Sequence, residues 1–362
     1  MRDASKVIGV VNKLLSEKEK QPFVEEIEEQ YEKLRVKNLT NKKQKDYISL
    51  SDARKNKFSP EWKTDNIRKP DSTGVKYLMD FDLTAIRKYI DWTFFFHAWK
   101  LNGKYPSILK DPIKGEEAQK LFDDAQKMLD EIITKKWLTA NAAFGIFPAQ
   151  ADGDDVELSD GTRFHFLRNQ EQKPVNIPNL CLADFIAPKS SGLTDYIGTF
   201  AVTTGIGIEN QIKQFEANDD DYSAIMLKVL ADRLAEAFAE LLHKKVRKDF
   251  WGYAASEQLE LTEVLREKYK GIRPAPGYPA CPEHSEKATL FSLLNAENKI
   301  GVKLTENYAM YPAASVSGFY FAHPDAQYFQ VGKLLPDQVE DYAKRKKLNV
   351  EKIEKLLPMN LV

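Results

Sequence analysis

Apolar positions along the chain follow a helical period in some segments and an alternating or continuous pattern in others. Near the start, Val7, Val10, Val11, Leu14 and Leu15 recur at helical spacing, and Ser16 is placed to cap a second helix. Phe23, Ile27, Tyr31 and Leu34 then recur among glutamates and lysines, which predicts helix over residues 1–38. Residues 83–92 read as helix, followed by the bulky Phe94-Phe95-Phe96, a run of rings that requires a partner surface. Residues 116–136 place Leu121, Ala125, Leu129 and Ile132 on one helical face. The longest helical stretch is 222–250, where Ile225, Val229, Leu230, Leu234, Phe238, Leu241 and Leu242 form a broad apolar face. Residues 336–357 close the chain as helix.

Strand patterns fall between these segments. Residues 143–149 are apolar, 156–158 form a short run and 163–167 alternate, with Ser159-Asp160-Gly161 supplying hairpin chemistry between the last two. Residues 196–203 are rich in β-formers, and 307–331 return to strand and turn composition. In 39–74, Lys42, Lys43, Lys45, Lys55 and Lys57 lie among polar residues, with Pro60 and Pro70 as breakers, which predicts an extended connector. Strands cluster in hairpins and helices come separately. The expected class is α+β: a twisted, mostly antiparallel sheet flanked by helices, with an N-terminal helical segment (1–38), a connector (39–74) and a main body (75–362).

Composition narrows the function. Of 362 residues, 43% are hydrophobic and 30% charged, and 53 basic against 54 acidic residues leave a net charge of -1. That balance gives no basis for nucleic-acid or anionic-membrane binding. No apolar run spans a bilayer, and residues 1–11 lack the apolar core of a secretory signal. Two cysteines, Cys181 and Cys281, make no disulfide framework, so a reducing cytoplasmic setting is expected.

The most unusual segment runs from Arg273 through Pro274, Ala275, Pro276, Gly277, Tyr278, Pro279 and Cys281 to His284. Four prolines in twelve residues exclude helix and central strand and make a stiff loop that loses little entropy on binding a ligand. Arg273 offers a planar fork for a carboxylate, Gly277 lets a ligand approach the backbone and Tyr278 presents a ring face. A plain connector over the core would have the same composition. Cys281 and His284 have C-x-x-H spacing, but two local ligands do not make a zinc site, and no metal is expected. Gly205-Ile206-Gly207 lacks the third glycine of a dinucleotide fingerprint and reads as a turn into a helix. Asp232, Glu236 and Glu240 share a face of the long helix, either as a solvated surface or with Glu236 turned to a cationic ligand. Asp91, between apolar neighbours, must cap the next turn or meet a cation. Tyr328 and Phe329 end an aromatic stretch whose simplest use is packing.

The chain resembles the C-terminal activation domain of cobalamin-dependent methionine synthase. The resemblance covers the chain from about Val75 to the end, on Asp91-Trp92-Thr93, Gly103-Lys104-Tyr105-Pro106, Leu182-Ala183-Asp184-Phe185, the segment Ala231-Asp232-Arg233-Leu234-Ala235-Glu236-Ala237, the arginine-to-histidine loop and Ala314-Ser315-Val316-Ser317-Gly318. It implies that Asp3 through Leu15 resemble the tail of a preceding cobalamin-binding domain, with residues 1–38 as its helical tail or linker. It also implies an S-adenosylmethionine site: Asp91 for the ligand's ammonium, Arg273 for its carboxylate, the backbone of Arg273, Ala275, Gly277 and Tyr278 for the remainder, and Glu236, Tyr328 and Phe329 completing the groove. Phe329 stands where many relatives carry tyrosine. The implied role is to supply the methyl group that restores methylcobalamin from cob(II)alamin, with one electron from flavodoxin or a similar reductase. Cobalamin would be bound by a domain outside this chain, since neither a corrinoid D-x-H-x-x-G motif nor the zinc cysteines of homocysteine activation are present. No catalytic residue is assigned here, and this chain alone is not expected to make methionine. Binding or sensing of S-adenosylmethionine without methyl transfer is the alternative. The basic cluster 244–248 is a candidate docking patch for an acidic flavoprotein.

Overall fold

The computed structural model describes residues 14–16, 20–41 and 46–362. The helical expectation for Val7, Val10 and Val11, and the lysines at 42, 43 and 45, lie outside the described residues. Contacts divide the chain into residues 1–47 and 48–362. The first unit contains helix α1 (Lys20–Asn41), whose exposed face is laced by i,i+4 pairs such as Lys33 to Glu29.

The second unit is built on an antiparallel sheet of six strands. Its spine is β2 (Thr139–Asp152), which pairs on one edge with β1 (Gly74–Leu78) and β3 (Asp155–Leu158) and on the other with β5 (Asp195–Ile206). Strand β4 (Arg163–His165) continues from β3 through the Ser159-Asp160-Gly161 turn, and β8 (Ser315–Tyr320) pairs with β5. All but the last residue of β5 are buried, its threonines included, because both faces of the sheet are covered. A second, two-stranded sheet joins β6 (Lys303–Leu304) to β7 (Met310–Tyr311).

One face packs Phe144, Ile146, Phe200, Val202 and Tyr320 against helices α3 (Leu83–Arg87), α4 (Trp92–Ala98), α5 (Gly115–Thr134), α6 (Ile208–Glu216) and α7 (Asp221–Lys245). Phe95 and Phe96 are fully buried there, so the aromatic run finds its partner surface in this core, while Phe94 stays exposed. The short α8 (Leu261–Val264) lies in the connection that leads to the proline-rich loop. The opposite face, with Ala143, Ile197, Ala201, Phe319 and Phe321, packs on Phe164, Phe166, Phe185 and α9 (Glu286–Leu294) and α10 (Ala296–Ile300). A third cluster joins α11 (Pro336–Lys346) to α12 (Val350–Leu356). Helix α2 (Leu50–Lys55) lies within the stretch expected to be extended and buries Leu50 and Ala53. Among the described residues no helix is long and apolar enough to cross a membrane.

Two expected helices are broken, each by an aspartate, asparagine or left-handed residue. The 83–92 segment splits because Asp82 caps α3 through Thr84 N–H (2.8 Å) and Asp91 caps α4 through Thr93 N–H (2.9 Å). The 336–357 segment splits at Lys347, which turns left-handed (φ 56°), and Asn349 caps the helix that follows. Helix α7 runs into a π-helical turn (Val246–Phe250) that redirects the chain toward Trp251.

Arg168, at 1% exposure, centres a buried ionic node and contacts Asp154 (2.6 Å), Asp184 (2.7 Å) and the Asn179 carbonyl (2.7 Å). It ties the β2–β3 turn to the Leu182–Phe185 turn. We expect Arg168→Met to strand two buried carboxylates and to lower unfolding stability by roughly 3–5 kcal/mol in urea titration; a wild-type denaturation midpoint would contradict this reading.

Candidate functional site

The proline-rich loop sits on the free edge of β8. Ile272 N–H donates to Phe321 O (3.0 Å), Phe321 N–H donates back to Ile272 O (3.1 Å) and Phe319 N–H donates to Pro274 O (2.8 Å). The approach is close because Gly318 has no side chain: a Cβ there would lie 2.5 Å from Pro274 O. Beyond Pro274 the chain leaves the edge and folds into a tight turn, with Tyr278 N–H on Ala275 O (3.1 Å), Cys281 N–H on Tyr278 O (2.9 Å) and Gly277 N–H on Cys281 O (2.7 Å). Gly277 takes φ +101°, and a Cβ would meet the His284 ring at 2.2 Å. Its role in the turn is therefore conformational. The far end is clamped by Lys346, whose Nζ donates to Glu283 (2.8 Å), Ser285 (2.6 Å) and Glu286 (2.6 Å).

Between this loop, α7, and the start of α4 lies a groove of about 550 Å3, within the usual range for small-molecule sites. Of the eight residues singled out in the sequence, Asp91, Glu236, Arg273, Ala275, Tyr278, Tyr328 and Phe329 line it; Gly277 does not and lies in the turn behind Tyr278. Asp91 both caps α4 and lines the groove. The Tyr278 ring is 57% exposed, open to a ligand. Tyr328 accepts a hydrogen bond from Arg273 N–H at its hydroxyl (2.9 Å), which ties the loop's first residue to the aromatic stretch after β8.

Sequence reading did not predict the partner of Arg273. Its guanidinium is largely buried, lies 6.0 Å over the Phe200 ring and donates to Glu240 at 3.1 Å. Burial works against its charge, but Glu240 and the neighbouring tyrosine oxygens outweigh this and raise its pKa. Glu240 belongs to the acidic face seen in the sequence, yet only the fold brings it to a residue 33 positions away. The groove also takes in Tyr89, Phe94, Arg233, Leu265, Glu267 and Val316, none of which the sequence assigned to the site.

Charge in the groove is lopsided. Asp91, Glu236, Glu240 and Glu267 face Arg233 and Arg273. Arg233 is bonded to Asp232 and Arg273 to Glu240, and among the described residues no ion pair reaches Asp91, Glu236 or Glu267. Burial raises the Glu236 carboxyl pKa despite Arg273 and Arg233 nearby, and partial burial raises that of Glu267. A cation entering the groove would relieve both. The residues therefore suit a ligand with net positive charge, one carboxylate and flat apolar surface.

Other candidate features resolve differently. Gly207 (φ +96°) is the N-cap of α6, and a Cβ there would lie 2.7 Å from the Trp137 carbonyl oxygen, so the Gly205 loop is a turn into a helix. Cys181 and Cys281 are buried free thiols, and burial pushes both pKa values up. His284 Nδ1 lies 2.9 Å from Lys287 Nζ. Among the described residues no group of three or more His, Cys, Asp or Glu side chains is placed to hold a metal. The 244–248 cluster is divided between the end of α7 and the π-helical turn, and its residues are partly engaged. Arg247 is fully buried against Glu257 (3.0 Å), Lys248 bonds the Glu257 carbonyl (2.7 Å) and Lys244 bonds Tyr89 (3.1 Å).

Comparison with known proteins adds two findings. A family profile described as "Vitamin B12 dependent methionine synthase, activation domain" matches residues 82–347. A crystal structure described as the MetH reactivation domain bound to AdoHcy is similar, with 51% identity and a TM-score of 0.84; the match covers 87% of this chain and 98% of that one.

The loop geometry makes its own prediction. Gly277→Ala forces a strained φ and a collision with His284, so thermal stability should fall by about 1 kcal/mol or more and amide exchange should quicken around the 277–281 turn. Unchanged exchange in that turn would show that the turn tolerates a side chain there.

Proposed function

This chain belongs to the family of vitamin B12 dependent methionine synthase activation domains, and we propose on that premise that its groove binds S-adenosylmethionine as methyl donor for restoring methylcobalamin from cob(II)alamin. The observation that carries the reading is the groove's charge: three carboxylates without a cation of their own beside one anchored guanidinium. S-adenosylmethionine has the matching pattern, with an ammonium, a carboxylate and a sulfonium. The related domain bound to AdoHcy, the demethylated form of the same molecule, supports the choice.

In this reading Asp91 takes the ammonium with the carboxylate that also caps α4, and Arg273 takes the carboxylate. The loop backbone at Arg273, Ala275 and Tyr278 lies along the ligand, held by Gly277's turn, and Glu236, Tyr328 and Phe329 close the trough. Carboxylates and ring faces both favour a sulfonium. No base is required, because the methyl is already activated by its sulfide leaving group. A reduced corrinoid, held by a cobalamin-binding domain outside this chain, would supply the electron pair that takes up the methyl. This chain's contribution is to hold the donor in place for that attack. The electron comes from flavodoxin or a similar reductase, in a cytoplasmic setting. Completing methionine synthesis requires domains outside this chain, and residues 1–38 are proposed as the tail of the neighbouring cobalamin-binding domain, joined by the 39–74 connector.

Mixing this chain with a cobalamin-binding domain, a low-potential reductant and methyl-labelled S-adenosylmethionine should place label on cobalt. Binding without transfer would favour a sensing role instead. Asp91→Asn should keep the helix cap, since asparagine caps as well as aspartate, while losing the charge. Its melting temperature should match wild type, and its dissociation constant for S-adenosylmethionine should rise on the order of tenfold. Wild-type affinity by calorimetry would remove Asp91 from the site.

A further inference from the structure

We infer that Glu240 is a specificity-determining residue of the groove: by neutralising Arg273 it lets one site hold a carboxylate and still prefer a sulfonium over an uncharged thioether. The inference rests on the functional reading above and concerns a residue that reading leaves without a role.

Glu240 lies on α7 one helical turn beyond Glu236, is 7% exposed and lines the groove. It meets Arg273 through a single Nη2 to Oε2 contact of 3.1 Å, not a two-pronged one. Arg273 Nε and Glu240 Oε1 are buried without a hydrogen-bond partner. The pair is thus joined by charge and by one hydrogen bond, and the guanidinium keeps donor capacity for a second carboxylate. A bare guanidinium would attract the ligand's carboxylate but repel its sulfonium within the same trough. With Glu240 beside it the pair is electrically neutral, and the uncompensated Asp91, Glu236 and Glu267 set the sign of the field. The preference for a cation then depends on Glu240 as much as on the acids that face the ligand directly. Phe200 beneath the guanidinium and Tyr328 on the Arg273 backbone hold the residue in place, so neutralisation does not rely on a mobile surface pair.

The two members of the pair should act with opposite sign. Calorimetric titration of the whole chain with S-adenosylmethionine and, separately, with S-adenosylhomocysteine gives a ratio of affinities that cancels their shared contacts. In Glu240→Gln, which keeps shape and hydrogen bond, that ratio should shift roughly threefold or more toward the thioether. In Arg273→Met both affinities should fall through the lost carboxylate contact, but the ratio should shift toward the sulfonium. The double variant leaves neither member of the pair charged and should return to the wild-type ratio, reversing the shift of whichever single variant folds. A ratio unchanged in a folded single variant, or moved the same way by both single substitutions, overturns the inference and leaves Glu240 a structural partner. A wild-type chain that binds neither ligand overturns the functional reading itself, and this inference with it.

Discussion

The contact between Arg273 and Glu240 is the joint on which the site depends. One partner stands at the head of a loop laid along the sheet edge, the other on the long helix that covers the sheet's face. Neither element would position a ligand alone. Joined, they set the width of the trough and fix which charges face it. Removing one member of a largely buried pair of this kind costs more than the pair contributes, because the survivor is left charged in a poor solvent. The arrangement is therefore a constraint on the fold as well as a feature of the site.

Electrostatics and rigidity reinforce each other here. Four prolines limit the loop's conformations, the β8 edge fixes one end through backbone hydrogen bonds, and Lys346 fixes the other through two buried glutamates. A groove held this firmly can keep carboxylates partly desolvated before any ligand arrives, which is why burial raises the Glu236 pKa. The energy held in that poor solvation is released when a cation enters. Transfer of the methyl group would take away the ligand's sulfonium charge, and with it much of the attraction that held it.

Much of this was legible in the sequence, and the rest failed for identifiable reasons. The run of β-formers in β5, the Ser159-Asp160-Gly161 turn and the long apolar face of α7 each depend on local composition or spacing, and each appears where the sequence puts it. Asp91 was readable as a cap or a cation partner because an acid between apolar residues has few other uses. The split of 83–92 into α3 and α4 was not, since the cap competes with helix propensity and the outcome turns on the buried Ile86 and Phe95 on either side. Glu240 appeared in the sequence only as one of three acids on a helical face, because its partner is distant along the chain and brought near by sheet packing. In the basic cluster at 244–248 the charges are adjacent in sequence, but Arg247 turns inward to Glu257 while Lys244, Lys245 and Lys248 stay partly exposed, a division that spacing alone does not show.

The loop's position along β8 also affects solubility. An antiparallel sheet that ended at β8 would present unpaired amides and carbonyls to any passing strand, the usual opening for domain exchange and fibrous aggregation. Here the outer row belongs to a segment in which Pro274 and Pro276 have no amide to donate and whose backbone turns away from the sheet after Pro274. A foreign strand finds too few donors to continue the ladder. The same prolines that stiffen the binding ledge therefore close the sheet against further growth.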